Sequence, residues 1–81
     1  MRIAVCENSQ AAVMQLRGWI AQYCSLYQIQ ASFQCFLSAD AFAAWKEPFD
    51  IVFLGFGGST GFYQARLLRE RDQRCRIILV D

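Results

Sequence analysis

The chain has 81 residues, a formal net charge of +1, and a composition that is 56% hydrophobic and 15% aromatic. This length suits one small domain, which buries somewhat over ~60% of the surface that its unfolded chain exposes. The apolar content indicates a folded globular protein, and the small net charge excludes a strong overall attraction to nucleic acid or lipid.

The residues that the sequence lacks exclude several kinds of chemistry. It contains no histidine, and its four cysteines form no Cys-x-x-Cys pair: Cys6, Cys24, Cys35 and Cys75. Ser-His and Cys-His catalysis and histidine-based metal centres are therefore excluded within this chain. We interpret the cysteines as small buried residues in a reducing compartment, with an incidental disulfide as the alternative.

The features of membrane and secreted proteins are also missing from the sequence. Its uninterrupted apolar runs are far shorter than the roughly 20 residues of a membrane helix. The N-terminal stretch MRIAVCEN has no apolar core followed by a cleavage site, as a signal peptide would. We therefore expect a cytoplasmic protein that does not enter a membrane.

Short apolar runs predict four strands, and the segments between them predict three helices. The strands cover residues 2–6, 31–36, 51–54 and 76–80. The helices cover about residues 9–27, 38–46 and 59–72, and their predicted capping residues are Asn8 or Ser9, then Ser38, then Ser59 or Thr60. Such alternation implies a parallel sheet with right-handed crossovers and helices on both faces.

Apolar residues at three- and four-residue steps predict the buried face of each helix. They are Val13, Leu16, Ile20, Tyr23 and Tyr27 in the first helix, Phe42 and Trp45 in the second, and Phe62, Ala65 and Leu68 in the third. Trp19, beside the first of these stripes, is expected in or near the core. Pro48 is expected to end the second helix.

The stretch DIVFLGFGGSTG, residues 50–61, runs from the third strand into a glycine-rich loop. Gly55-x-Gly57 before a helix, with Asp81 after the next strand, follows the order of a dinucleotide-binding fingerprint. In that motif, glycines let the backbone approach a pyrophosphate. The spacing departs from it, because the third glycine is Gly61 instead of residue 60. A tight turn that needs positive φ angles is the other interpretation.

Five of the eight basic residues lie close together: Arg66, Arg69, Arg71, Arg74 and Arg76. We interpret them as a solvated helix face whose cations favour the C-terminus of the helix. A contact with a partner protein is one alternative. Nucleic-acid binding is another, although no aromatic residues are interleaved with the arginines and the segment also carries Glu70 and Asp72.

Three stretches of the chain resemble one protein family. They are MRIAVCEN, FLSADAFAAWKEPFDIVFL and GFYQARLLRERDQRCRIILVD. In this order they are similar to the first strand, the second helix with the third strand, and the third helix with the fourth strand of response-regulator receiver domains of the LytR/AlgR type. The resemblance implies a flavodoxin-like, three-layer α/β sandwich with a parallel sheet of order 2-1-3-4. It makes residues 1–81 a single receiver-like domain that lacks the last helix, strand and helix.

The phosphorylation site of that family is altered in this sequence. An acidic pair binds Mg²⁺ in the family, an aspartate accepts the phosphoryl group, and a Thr or Ser senses it. The resemblance places Glu7 with Asn8, Gly55, and Asp81 at these positions. One metal-binding charge is thus lost, the acceptor has no side chain, and Asp81 would repel a phosphate. The following loop is shorter than the family's and lacks its proline: Gly57, Gly58, Ser59, Thr60 and Gly61.

The resemblance therefore implies a pseudo-receiver, a domain for signal transduction or transcription regulation that is not an enzyme and uses no metal or cofactor. We expect self-association or binding of another regulatory protein, with any DNA binding left to a further domain. The expected interaction surface is Arg66, Arg69, Ile77, Ile78, Leu79 and Val80, on the third helix and an exposed fourth strand. The alternative is a nucleotide- or dinucleotide-binding, Rossmann-like fragment of an oxidoreductase that uses Gly55, Gly57 and Gly61.

Overall fold

Strands and helices alternate through residues 1–80, the part of the chain that this computed structural model describes. The elements are β1 (Arg2–Glu7), α1 (Gln10–Leu26), β2 (Ser32–Phe36), α2 (Ala39–Ala44), β3 (Ile51–Gly55), α3 (Gly58–Arg71) and β4 (Arg76–Leu79). Their number and order confirm the sequence prediction. The domain is therefore α/β.

The four strands form one parallel sheet in the order β2-β1-β3-β4, as predicted. β1 lies in its interior because Ile3 to Cys6 are all apolar, and each is at most 1% exposed. Such a run can lie only where both faces of the sheet are covered. Its register aligns Cys6 with Leu54 and Glu7 with Gly55, so the carboxyl ends of β1 and β3 lie side by side.

Helices cover the two faces of the sheet unequally. On one face α1 packs against β1 and β2 over a core that includes Ile3, Val5 and Val13. On the other face α2 packs against β2, and α3 packs against β3 and β4. This second core is larger and contains Phe36, Phe42, Phe49, Leu54 and Leu68 among others. In residues 1–80, no helix packs over β3 and β4 on the α1 face.

Two of the predicted helix starts are confirmed. The Ser9 hydroxyl accepts a hydrogen bond of 3.0 Å from the backbone N–H of Ala12, and the Ser38 hydroxyl accepts one of 3.1 Å from Ala41. Each satisfies a first-turn donor that has no partner within the helix. The third start is wrong, because α3 begins at Gly58 with Gly57 as its cap and Ser59 and Thr60 lie inside the helix.

Some predicted core positions are also wrong. Along α1 the buried stripe continues from Val13 to Cys24 and not to Tyr23, which is 59% exposed. One position is a rotation of about 100° on a helix, which moves Tyr23 off the sheet. Trp19 is 61% exposed, and Phe62 is 65% exposed because the strand beside it, β4, is at the edge of the sheet. Tyr27 is exposed as well.

Other predicted core residues are in place. Phe42 is buried in α2, and Trp45, just after this helix, packs edge-on against Phe36 with ring centroids 5.6 Å apart. Three of the cysteines are buried and the fourth, Cys35, is partly buried; all four are free thiols. Within residues 1–80, no helix combines the length and hydropathy of a membrane span.

Candidate functional site

The residues predicted at the altered phosphorylation site come together at one edge of the sheet. Glu7 ends β1 and is the register partner of Gly55, which ends β3. Asn8 follows directly, and the glycine loop begins just after Gly55. In a parallel sheet the carboxyl ends of the strands share one edge, so chain order alone brings these residues together. Asp81, the remaining member, lies outside the described residues.

Gly55 is in direct contact with the side chain of Glu7. A Cβ atom added to Gly55 would collide with Oε2 of Glu7, and it would lie 2.5 Å from Cδ of Glu7 and 2.8 Å from the carbonyl oxygen of Cys6. Real Cβ atoms essentially never approach another heavy atom within 3.0 Å. The carboxylate of Glu7 therefore fills the space that any side chain at position 55 would need.

The Glu7 carboxylate is partly removed from water, and this desolvation raises its pKa above the ordinary value of 4.5. No lysine or arginine nitrogen in residues 1–80 lies within 4.0 Å of it, because the one ion pair there joins Arg2 to Glu47. The described residues contain no group of three or more side chains placed to hold a metal ion. The pocket thus carries a negative charge with no neighbouring cation, which disfavours a phosphoryl group.

Asn8 has a structural contact at this edge. Its side-chain Nδ2 donates a hydrogen bond of 2.8 Å to the backbone carbonyl of Phe56. Phe56 is 5% exposed and belongs to the core beneath α2 and α3. The bond therefore ties the loop after β1 to the loop after β3, and it holds the Glu7–Gly55 contact from the side.

Two glycines of the loop are required by the turn into α3. Gly57 has φ = +82° and Gly58 has φ = +50°, in the left-handed region where a Cβ atom is strained. This confirms the tight-turn interpretation at both positions. Gly61 has no positive φ, and a Cβ atom there would meet nothing within 4 Å. Ser59 and Thr60 are exposed in the first turn of α3.

The space beside the glycine loop is small. The cavity there has a volume of about 40 Å³ and is lined by Leu54, Gly57, Gly58, Gly61, Phe62, Leu79 and Val80. Small-molecule and cofactor sites typically enclose about 300–1,000 Å³. This cavity has room for water but not for a dinucleotide, and the loop geometry does not favour the dinucleotide interpretation.

The residues of the expected interaction surface lie on both faces of the sheet. Arg66, Arg69, Ile77 and Leu79 line one groove of about 370 Å³ together with Phe62 and Ala65. Ile78 points to the opposite face, because its register partner Phe53 packs in the α1 core. Val80 follows β4 and donates its N–H to the carbonyl of Leu54 at 2.9 Å.

Sequence reasoning missed a second apolar cleft on the α1 face. It has a volume of about 320 Å³ and is lined by Trp19, Ile20, Tyr23 and Phe53. The signal that could have found it is the pair of aromatic residues flanking the α1 stripe at a four-residue step. The cleft exists because α1 packs on β1 and β2 and leaves Phe53 of β3 only half covered.

Comparison with family models, with curated proteins and with solved structures finds no match of any of the three kinds. The site geometry and the sequence resemblance are therefore the grounds for a functional proposal.

We predict that Gly55→Ala destabilises the protein by about 1–3 kcal/mol, the range for overpacking a filled site. Adding Glu7→Ala should recover part of this loss, because the carboxylate contact is removed while the Cys6 carbonyl stays. Gly61→Ala is the matched control; it should be neutral or stabilising by up to about 1 kcal/mol, since the site is helical and open. Urea unfolding measures all four proteins. Equal effects at positions 55 and 61 would contradict the contact.

We predict a pH-dependent stability difference between Glu7→Gln and the wild type. The folded protein holds the Glu7 proton more tightly than the unfolded chain, because the folded-state pKa of Glu7 is raised. The contribution of Glu7 to stability therefore falls as pH rises from its unfolded pKa through its folded pKa. Glu7→Gln should be the more stable protein at about pH 7, with the difference shrinking toward about pH 4.5. A difference independent of pH in urea titrations would rule this out.

Proposed function

We propose that this chain is a receiver-like domain that accepts no phosphoryl group and acts through contacts with other proteins. The observation that carries the proposal is the Glu7 carboxylate lying against Gly55. Phosphorylation of a receiver needs a nucleophilic carboxylate at this position and a hard cation that offsets the repulsion between anions. Here the acceptor side chain is replaced by a neighbouring carboxylate with no cation beside it.

The parallel sheet of order β2-β1-β3-β4 supports the finer assignment to a flavodoxin-like receiver fold. This order reverses direction between β1 and β3, and doubly wound folds place their sites at such a reversal. Glu7, Asn8 and Gly55 lie at that point. The sequence resemblance in β1, α2 with β3, and α3 with β4 agrees with the same assignment.

The proposed role is regulatory and non-enzymatic, in two-component signalling or transcription control. DNA binding, where it occurs, belongs to a separate domain. A cytoplasmic location fits four thiols that are all free in the structure. No metal or cofactor is part of the proposal.

Self-association is part of this proposed role, and the α1 cleft is the surface that suits it. Trp19 and Tyr23 are 61% and 59% exposed, so each leaves on the order of 100 Å² of aromatic surface in water. All residues that line the cleft are uncharged: Trp19, Ile20, Tyr23 and Phe53. Two copies can therefore bring these surfaces together without repulsion between charges. An exposed apolar patch of this kind is typical of an interaction site.

Acetyl phosphate with Mg²⁺ tests the proposed function directly. The wild-type chain should show no phosphoryl adduct in its intact mass, because position 55 offers no acceptor. A beryllofluoride mimic should leave its melting temperature unchanged. A phosphorylatable receiver domain treated in parallel provides the positive control. An adduct on the wild-type chain would overturn the proposal.

Trp19→Glu should weaken self-association by at least about tenfold in sedimentation experiments, because a charge would be buried in an apolar interface. Met14→Glu is the control on the same helix; Met14 is also exposed, at 51%, but does not line the cleft. A wild-type protein that stays monomeric at high micromolar concentration, or an equal effect of the two substitutions, would rule out the α1 cleft as the interface.

A further inference from the structure

The outer edge of β4 carries unpaired backbone groups. β4 pairs with β3, and no other strand in residues 1–80 pairs with it. The N–H groups of Arg76 and Val80 donate to the carbonyls of Asp50 and Leu54, each at 2.9 Å. Backbone groups alternate in direction along a strand, so Ile77 and Leu79 direct their N–H and C=O groups to the open edge. This edge can accept a further strand.

Apolar side chains flank the open edge on both faces of the sheet. Leu79 is 46% exposed on the α3 face, and Ile78 is 42% exposed on the α1 face. On the α3 face, Ile77 and Leu79 form one side of the 370 Å³ groove, and Phe62 and Ala65 of α3 form the other. A strand added to β4 would cover apolar surface on both faces at once, which a helix packed on one face would not do.

The groove also carries positive charge. Arg66 and Arg69 line it, and neither lies within 4.0 Å of a carboxylate in residues 1–80. Arg69 donates to the backbone carbonyl of Asp72 at 3.2 Å. The Asp72 carboxylate itself accepts from the backbone N–H groups of Arg74 and Cys75. The two guanidinium groups are therefore available to acidic side chains of a partner.

We propose that the β4 edge binds an extended acidic segment of a partner protein as an added strand. Its backbone pairs with Ile77 and Leu79, its apolar side chains enter the groove beside Phe62, and its carboxylates bind Arg66 and Arg69. Backbone pairing supplies affinity in this mode of recognition, and the side-chain contacts supply specificity. The inference rests on the proposed interaction role and names the chemistry of one partner.

Charge argues against a second copy at this edge. Antiparallel pairing of two β4 strands would place the α3 helices of the two copies next to each other on one face of the joined sheet. Arg66 and Arg69 of one copy would then face the same residues of the other. Like charges at an interface cost binding energy, whereas glutamate or aspartate in the added strand would be attracted.

Fluorescence anisotropy with two synthetic peptides of about eight residues tests the inference. One peptide alternates isoleucine with glutamate, and the other alternates isoleucine with lysine. The acidic peptide should bind the wild-type chain at least about tenfold more tightly. The double variant R66E/R69E should lose or reverse this preference. The double variant R71E/R74E changes the same charge outside the groove, since Arg71 lies over Phe42, and should keep the preference.

The backbone contribution has its own test. The acidic peptide with N-methyl groups on alternate residues should bind at least about tenfold more weakly to the unmodified protein, because its donors to the edge are removed. Leu79→Pro removes a donor on the protein side, and Leu79→Ala is its control for the lost side chain.

Three results would overturn the inference. They are equal binding of the two peptides, no loss of affinity on N-methylation, and no binding of the acidic peptide at about 1 mM. Self-association that Leu79→Pro abolishes and Leu79→Ala preserves would assign the edge to a second copy instead. The peptide assay can fail while the acetyl phosphate test succeeds, and the reverse, because position 55 plays no part in peptide binding.

Discussion

The burial of β1 in the middle of the sheet is the constraint on which the other features depend. Four consecutive apolar residues, Ile3 to Cys6, are inaccessible to water on both faces, so a layer of helices is needed on each side. The same strand pairs with β2 and with β3, which fixes the register of both. The first polar side chain after this run, Glu7, therefore lies at the carboxyl edge beside Gly55. The contact that defines the candidate site follows from the position of the strand.

The Glu7–Gly55 contact shows how a site can lose one chemistry without losing its shape. A glycine at the end of β3 lets a neighbouring carboxylate occupy the acceptor position, and the bond from Asn8 to Phe56 holds the two loops together around it. Burial without a cation leaves this carboxylate in an unfavourable environment, as its raised pKa indicates. Such strain is tolerated where the surrounding structure is well packed. The edge thus keeps the arrangement of a receiver pocket while its charge opposes a phosphoryl group.

The uneven cover of the sheet gives the domain two different interaction surfaces. On the α1 face the cleft beside Trp19 and Tyr23 is apolar and uncharged, which suits an identical surface. On the α3 face the groove beside β4 combines apolar residues with Arg66 and Arg69, which suits a partner of opposite charge. The two surfaces lie on opposite faces of the sheet. A partner at the edge and a second copy at the cleft are therefore compatible in principle with one regulatory assembly.

Local patterns in the sequence determined much of this structure. Apolar runs located the strands, Ser9 and Ser38 marked two helix starts, and strand–helix alternation predicted a parallel sheet. The placement of Glu7, Asn8 and Gly55 at one edge followed as well, because parallel strands end on the same side. These features depend on neighbouring residues in the chain or on topology, and both can be read from the sequence.

The tertiary structure decided the features that depend on distant contacts. Only the packing shows that Glu7 fills the space above Gly55, that Gly57 rather than Ser59 or Thr60 opens α3, and that Trp19 and Phe62 face water. An aromatic residue beside an apolar stripe looks the same in sequence whether a neighbouring element covers it or not. Its burial is set by the elements across the sheet, and residues far apart in the chain decide where those elements lie.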